Sequence, residues 1–158
     1  MRWTKLKHLV EANFAPTLSR RLAINSTAYG NCSCGHAWLT LDGEVVANFC
    51  TRAYWNKEMG REPERTNPMY AHQLASYGEM SRQDAYKACW AFVHELPIDQ
   101  SLRDDDPLIQ TLAVVDKRLG KRRLQNIDPT SLPPLARRLF EERFASENVR
   151  SAAAEMPA

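Results

Sequence analysis

The fold of this chain is decided by the stretch between residues 36 and 49, which reads His36-Ala-Trp-Leu-Thr-Leu-Asp-Gly-Glu-Val-Val-Ala-Asn-Phe49. Two runs of apolar, β-branched and aromatic residues flank Asp42-Gly43, the dipeptide best suited to the positive φ angles of a type I′ turn. The stretch therefore predicts a β-hairpin. Counting outward from the turn, we expect His36 to face Phe49, with Trp38 and Phe49 on the same face of the hairpin.

Periodicity outside the hairpin predicts one more strand and several helices. An apolar stripe at helical spacing predicts an N-terminal helix that ends near Ala15, and the alternation between residues 21 and 29 predicts a strand. No periodicity is present between residues 51 and 66, so we expect a long loop there. Capping residues and prolines predict helix starts at Asn67-Pro68, Ser81, Asp106-Pro107 and Pro133.

These elements predict an α+β fold with an N-terminal helix, a small antiparallel sheet centred on the Asp-Gly hairpin, and three to four packed C-terminal helices. A chain of 158 residues fits a single domain. We place that domain at residues 1–150 and expect residues 151–158 to form a frayed tail.

The composition narrows the function classes without choosing among them. Hydrophobic residues make up 44% and charged residues 25% of the chain, as in ordinary globular proteins. A net charge of +2 is too small to imply a nucleic-acid or membrane partner from bulk electrostatics. Neither a secretory signal nor a membrane span is apparent, so we expect a cytoplasmic protein with no membrane partner, and cysteines that form no disulfide.

Four residues in or beside the hairpin are of the types that bind zinc: Cys32, Cys34, His36 and Cys50. Strand parity opposes such a site, because Cys50 points to the face opposite His36 unless the hairpin twists or bulges. A second closely spaced ligand pair is also missing. These four residues are therefore weak metal candidates, and we expect no metal, no cofactor and a buried Cys50 thiol.

A basic segment follows the third predicted helix start. Residues 117–123 contain five cations in seven residues, more than a helix C-terminus needs to complement its dipole. We expect Arg137 and Arg138 on the next helix to extend the same face. The candidate residues for binding nucleic acid or another anion are Lys117, Arg118, Lys121, Arg122, Arg123, Arg137 and Arg138. A solvated face with internal ion pairs is the alternative.

The basic segment favours a non-enzymatic binding or regulatory protein that contacts an acidic partner, either nucleic acid or an acidic protein surface. One alternative is a small enzyme with a cleft at the Cys/His end of the hairpin, where His36, Cys34 and Cys50 would act beside Arg52. A homo-oligomeric structural or interaction protein is the other. The sequence assigns no catalytic residue, because it contains no glycine-rich phosphate loop, nucleophile elbow or paired-carboxylate pattern.

Overall fold

The computed structural model describes residues 1–30, 34–61 and 79–154. It confirms the predicted α+β fold: an N-terminal helix, a three-stranded antiparallel sheet in the order β1-β2-β3, and several C-terminal helices. The predicted helix that begins at Asn67 lies outside the described residues. In chain order the elements are α1 (Trp3–Glu11), β1 (Leu22–Ala28), β2 (Gly35–Leu41), β3 (Glu44–Cys50), α2 (Thr51–Glu58), α3 (Arg82–His94), α4 (Ile98–Ser101), α5 (Pro107–Val114), α6 (Lys121–Leu124) and α7 (Pro134–Ala154), with a 3₁₀ turn at Pro129–Ser131.

The hairpin between β2 and β3 has the predicted turn. Asp42 and Gly43 both adopt positive φ angles, 52° and 86°, as a type I′ turn requires. Leu41 pairs with Glu44 next to the turn, in the counted register. The local chemistry of Asp-Gly therefore determines the turn and the first strand pairs.

A β-bulge changes the register further along the hairpin. Thr40 pairs with Val45 but Leu39 pairs with Ala47, so that Val46 is an extra residue without a partner on β2. The predicted pairing of His36 with Phe49 is therefore wrong. The bulge turns Phe49 toward the helices, where the side chain is 2% exposed. Burying a phenylalanine stabilises the fold by roughly 1.5–3 kcal/mol, which favours the bulged register over the regular one.

The inner face of the sheet packs on α3, which lies at the centre of the molecule. Helix α3 contacts β2, β3, α1 and α5, and α5 in turn packs on α7. A capping box at Ser81 and Asp84 begins α3, as predicted. One continuous core joins the sheet to the helices; its largest fully buried side chains include Leu6, Ile24, Leu39, Phe49, Phe92, Leu112, Leu119 and Leu139.

Two helices differ from the predictions. Helix α2 occupies residues 51–58, where the sequence predicts a loop; its two buried residues, Thr51 and Ala53, form no apolar stripe that would indicate a helix. Helix α1 ends at Glu11, before the predicted end near Ala15. Helix α7 extends to Ala154. Within the described part of the chain, no helix is both long enough and apolar enough to span a membrane.

Candidate functional site

The bulge brings the predicted Cys/His residues to one face of the sheet. His36 pairs directly with Cys50 across β2 and β3, and residues paired across two strands present their side chains on the same face. The parity objection to Cys50 therefore does not hold in the folded chain. We call the residues Tyr29, His36, Asn48 and Cys50 the sheet-end cluster.

Tyr29 joins the two members of this pair. The Tyr29 N–H donates to the carbonyl of Cys34 at 2.8 Å, which continues the β1–β2 pairing beyond the strand end. The Tyr29 Oη lies 2.9 Å from His36 Nδ1 and 3.7 Å from Cys50 Sγ. The guanidinium of Arg52 lies over the tyrosine ring, 5.4 Å from its centroid. A phenol thus connects an imidazole and a thiol on the same face.

His36 stacks on an aromatic ring and is influenced by a nearby cation. Its imidazole stacks on the Trp38 indole with ring centroids 4.6 Å apart. Burial, together with the charge of nearby Arg82, lowers the pKa of His36 from its ordinary value of 6.5. The imidazole is therefore mostly neutral at pH 7 and has a ring nitrogen that can accept a proton.

Asn48 completes the sheet-end cluster from β3. It pairs with Trp38, on the same face as His36 and Cys50, and only 1% of the residue is exposed. Among the described residues, neither the Nδ2 nor the Oδ1 of Asn48 has a hydrogen-bond partner, and the Nε2 of His36 also has none. Buried polar atoms without partners are uncommon in folded proteins and often mark a functional position.

The cysteines differ in their chemical state. Cys34 is disulfide-bonded, whereas Cys50 and Cys89 are free and buried. The expectation of a buried Cys50 thiol is confirmed, and the expectation that no disulfide forms is wrong for Cys34, because it rested on an assumed compartment and not on chain geometry. A disulfide removes Cys34 as a thiolate ligand. Cys32 lies outside the described residues, and within them no three His, Cys, Asp or Glu residues are placed to hold a metal ion.

The basic segment Lys117–Arg123, which we call the cationic turn, follows α5, includes the first three residues of α6 and has a firmly anchored backbone. Asp116, Leu119 and Leu124 are all 0% exposed. The buried guanidinium of Arg143 on α7 donates to the carbonyls of Val114, Asp116 and Leu119 at 2.8, 2.9 and 2.5 Å. A second attachment comes from the end of α1, where the Lys117 N–H donates to Asn13 O at 2.7 Å.

The cations of the turn are exposed, and most of them also contact the protein. Lys117 Nζ donates to Ala12 O at 2.7 Å, and Arg118 forms a bidentate pair with the buried Asp116. Arg123 pairs with Asp99 of α4 at 3.0 Å. Lys121 lines a shallow surface cavity with Arg150 of α7. Arg122 is exposed and forms no hydrogen bond or ion pair with the described residues.

Arg137 and Arg138 are engaged elsewhere. Arg137 donates to the carbonyls of Pro129 and Thr130 and so caps the 3₁₀ turn. Arg138 pairs with Glu142 at 2.9 Å. Arg138 lies twelve residues before Arg150, the α7 residue that lines the same cavity as Lys121. Twelve residues of helix span roughly 18 Å. The structure therefore does not bring Arg138 next to Lys121.

Three residues of the candidate site were not found from the sequence. Tyr29 joins the sheet-end cluster and Arg82 comes near His36 only through tertiary structure, and no local sequence pattern indicates either residue. Asn48 does carry a signal, because it is the only polar residue in the run Val45–Cys50. An amide in such an apolar run has to be buried with a partner or has to serve a function.

These features define an α+β protein with a cationic turn at its helical end and a thiol–imidazole cluster at the end of its sheet. No curated protein and no solved structure matches the chain. A family model does match over residues 2–144. The chain belongs to the SF0329 protein family.

Proposed function

We propose that the protein is a binding or regulatory protein that contacts an acidic partner through the cationic turn, with nucleic acid as the simplest such partner. One observation carries the proposal: the turn combines exposed cations with a buried, hydrogen-bonded backbone. A merely solvated basic loop needs no such anchoring. A binding surface benefits from it, because ordering a loop on binding costs free energy.

The exposed positions of the cations bring a phosphate within their reach. The ion pair of Arg123 with Asp99 is exposed on both sides, and exposed pairs contribute only about 0–1 kcal/mol. A phosphate can therefore replace Asp99 at little cost. Lys121 and Arg122 are exposed next to it on α6. Arg118 is different, because its bidentate pair with the buried Asp116 has a structural role.

The backbone contacts of Arg143 support the same proposal. By donating to three carbonyls of the segment Val114–Leu119, the guanidinium holds the chain that leads into the turn in one conformation. The positions of the cations are thus set before a partner arrives. Arg137 and Arg138 lie apart from this surface, since the first caps the 3₁₀ turn and the second is separated from Arg150 by roughly 18 Å of helix.

The test is a salt titration of binding with charge-matched variants. We compare the double variant Lys121→Ala/Arg122→Ala with the control Arg2→Ala/Lys5→Ala, which also removes two exposed cations, at the opposite end of α1 from Lys117. Fluorescence anisotropy with single-stranded and duplex oligonucleotides gives the dependence of log K on log salt. The turn variant should reduce that slope by about 1–2, and the control should not change it.

Three outcomes separate the alternatives. If no oligonucleotide binds at low salt, nucleic acid is not the partner. If polyglutamate binds in its place and the turn variant weakens that binding, the partner is an acidic protein surface. If both double variants lower the slope equally, the cationic turn is not the binding surface.

A further inference from the structure

The sheet-end cluster contains chemistry that contact with an acidic partner does not use. A thiol, an imidazole and a carboxamide lie on one face of β2 and β3 with the Tyr29 phenol in contact, and two of these groups have buried polar atoms without hydrogen-bond partners among the described residues. A free cysteine alone does not indicate a functional site. The unpartnered amide of Asn48, two positions before Cys50 on the same strand face, is an independent sign of a ligand.

The contacts of Tyr29 are those of a proton relay. A tyrosine hydroxyl can donate one hydrogen bond while it accepts another. Its Oη lies 2.9 Å from His36 Nδ1 and 3.7 Å from Cys50 Sγ, so the hydroxyl can donate to the nitrogen while it accepts from the thiol. This assignment puts the imidazole's own proton on Nε2. Burial of the neutral ring, which lowers the pKa of His36, keeps Nδ1 free to accept.

We propose that Cys50 is a nucleophilic thiol that His36 deprotonates through Tyr29, and that its substrate is a small, uncharged acyl compound whose carbonyl oxygen accepts a hydrogen bond from Asn48. Small size and neutrality follow from burial, because Cys50 is 3% and Asn48 1% exposed. A charged substrate would lose its hydration there without a partner of opposite charge. A carbonyl oxygen would supply the acceptor that Asn48 Nδ2 lacks.

The reaction is an acyl transfer in two steps. As the bond between Cys50 Sγ and the carbonyl carbon forms, the thiol proton passes to Tyr29 Oη and the tyrosine proton passes to His36 Nδ1. The bond from the carbonyl carbon to the leaving group then breaks, and the leaving group departs with its electron pair and the proton returned by His36. Water hydrolyses the resulting thioester, which releases a carboxylic acid and restores the thiol.

The full-length protein with p-nitrophenyl acetate provides the test. Release of p-nitrophenol gives the rate, and peptide mass spectrometry identifies the acetylated residue. We expect acetylation at Cys50. Cys89 is the internal control, since it is 0% exposed and burial with nearby Asp106 raises the pKa of its thiol. Tyr29→Phe keeps the ring beneath Arg52 but removes Oη, and should slow the acetylation of Cys50 by about 100-fold.

Two results would overturn the proposal. The first is acetylation of Cys50 no faster than that of Cys89 in the folded protein. The second is acetylation at the wild-type rate in Tyr29→Phe. A thermal midpoint of each variant shows that it is folded. His36→Gln removes the proposed base and should slow the acetylation of Cys50 to the same extent. Because two different substitutions must agree, a folding defect in one of them does not decide the test.

Discussion

Replacing Arg143 by methionine tests whether one buried guanidinium holds the helical end of the protein together. Methionine keeps an unbranched apolar side chain of similar length but donates no hydrogen bond. The substitution removes the donors to the carbonyls of Val114, Asp116 and Leu119 and the ion pair with Glu147 at 2.7 Å. All three carbonyls belong to residues that are 0% exposed, so water does not replace the lost donors.

The expected loss of stability follows from these contacts. Each buried carbonyl left without a donor costs about 1–3 kcal/mol. Part of this cost is offset, because methionine avoids the desolvation of a buried charge. The net loss should be about 4 kcal/mol, in the range of about 3–5 kcal/mol for breaking a buried charged network. For a chain of 158 residues this lowers the thermal midpoint by about 12 °C.

Arg138→Met is the matched control for this substitution. Arg138 also pairs with a glutamate one helical turn later on α7, but its side chain is 49% exposed and the pair is worth less than about 1 kcal/mol. Calorimetry of the two variants and the wild type compares their midpoints directly. Equal midpoints for Arg143→Met and Arg138→Met would refute the reasoning. Arg143→Met should also weaken oligonucleotide binding, because the cationic turn loses its anchor.

Two further predictions concern the sheet. Because the pKa of His36 is lowered from 6.5 in the folded state, its contribution to stability is complete above pH 6.5 and is lost as the pH falls toward the lower folded-state pKa. The midpoint difference between wild type and His36→Gln should therefore shrink on acidification, and a difference that stays constant would contradict the burial argument. A Cβ at Gly35 would lie 2.1 Å from Thr27 O, whereas one at Gly120 would meet nothing within 4 Å. In urea unfolding, Gly35→Ala should cost about 2 kcal/mol and Gly120→Ala less than about 0.5 kcal/mol, and similar losses would rule out the close approach.

Features set by neighbouring residues were predictable from the sequence. The Asp42-Gly43 turn depends on two residues that tolerate positive φ angles, and both angles are observed. The start of α3 depends on Ser81 and Asp84, which satisfy each other's backbone groups three residues apart. In both cases the residues that cause the structure lie within a few positions of it, so a local sequence pattern is enough to predict the turn and the helix start.

Features set by distant contacts were not predictable in this way. Turn chemistry fixes only the nearest strand pairs, whereas the burial of Phe49 against the helices decides the register beyond them. Arg143 appears in the sequence as one more charge on a helix, because its carbonyl partners lie 24 to 29 residues away. The sheet-end cluster depends on the bulge, and so Tyr29 and Asn48 became candidates only in the folded chain.

The bulge at Val46 also separates the register of the far half of β3 from the length of the segment next to the turn. Neighbouring residues of a strand point to opposite faces, so one extra residue in a regular ladder would reverse the face of every residue that follows it. The bulge takes up that residue: Leu39 pairs with Ala47 and His36 with Cys50, as they would if Val46 were absent. Homologous chains can therefore lose Val46 and keep Phe49 in the core, whereas pairing Val46 without the bulge would turn Phe49 outward and Cys50 inward and would cost both the core and the thiol site.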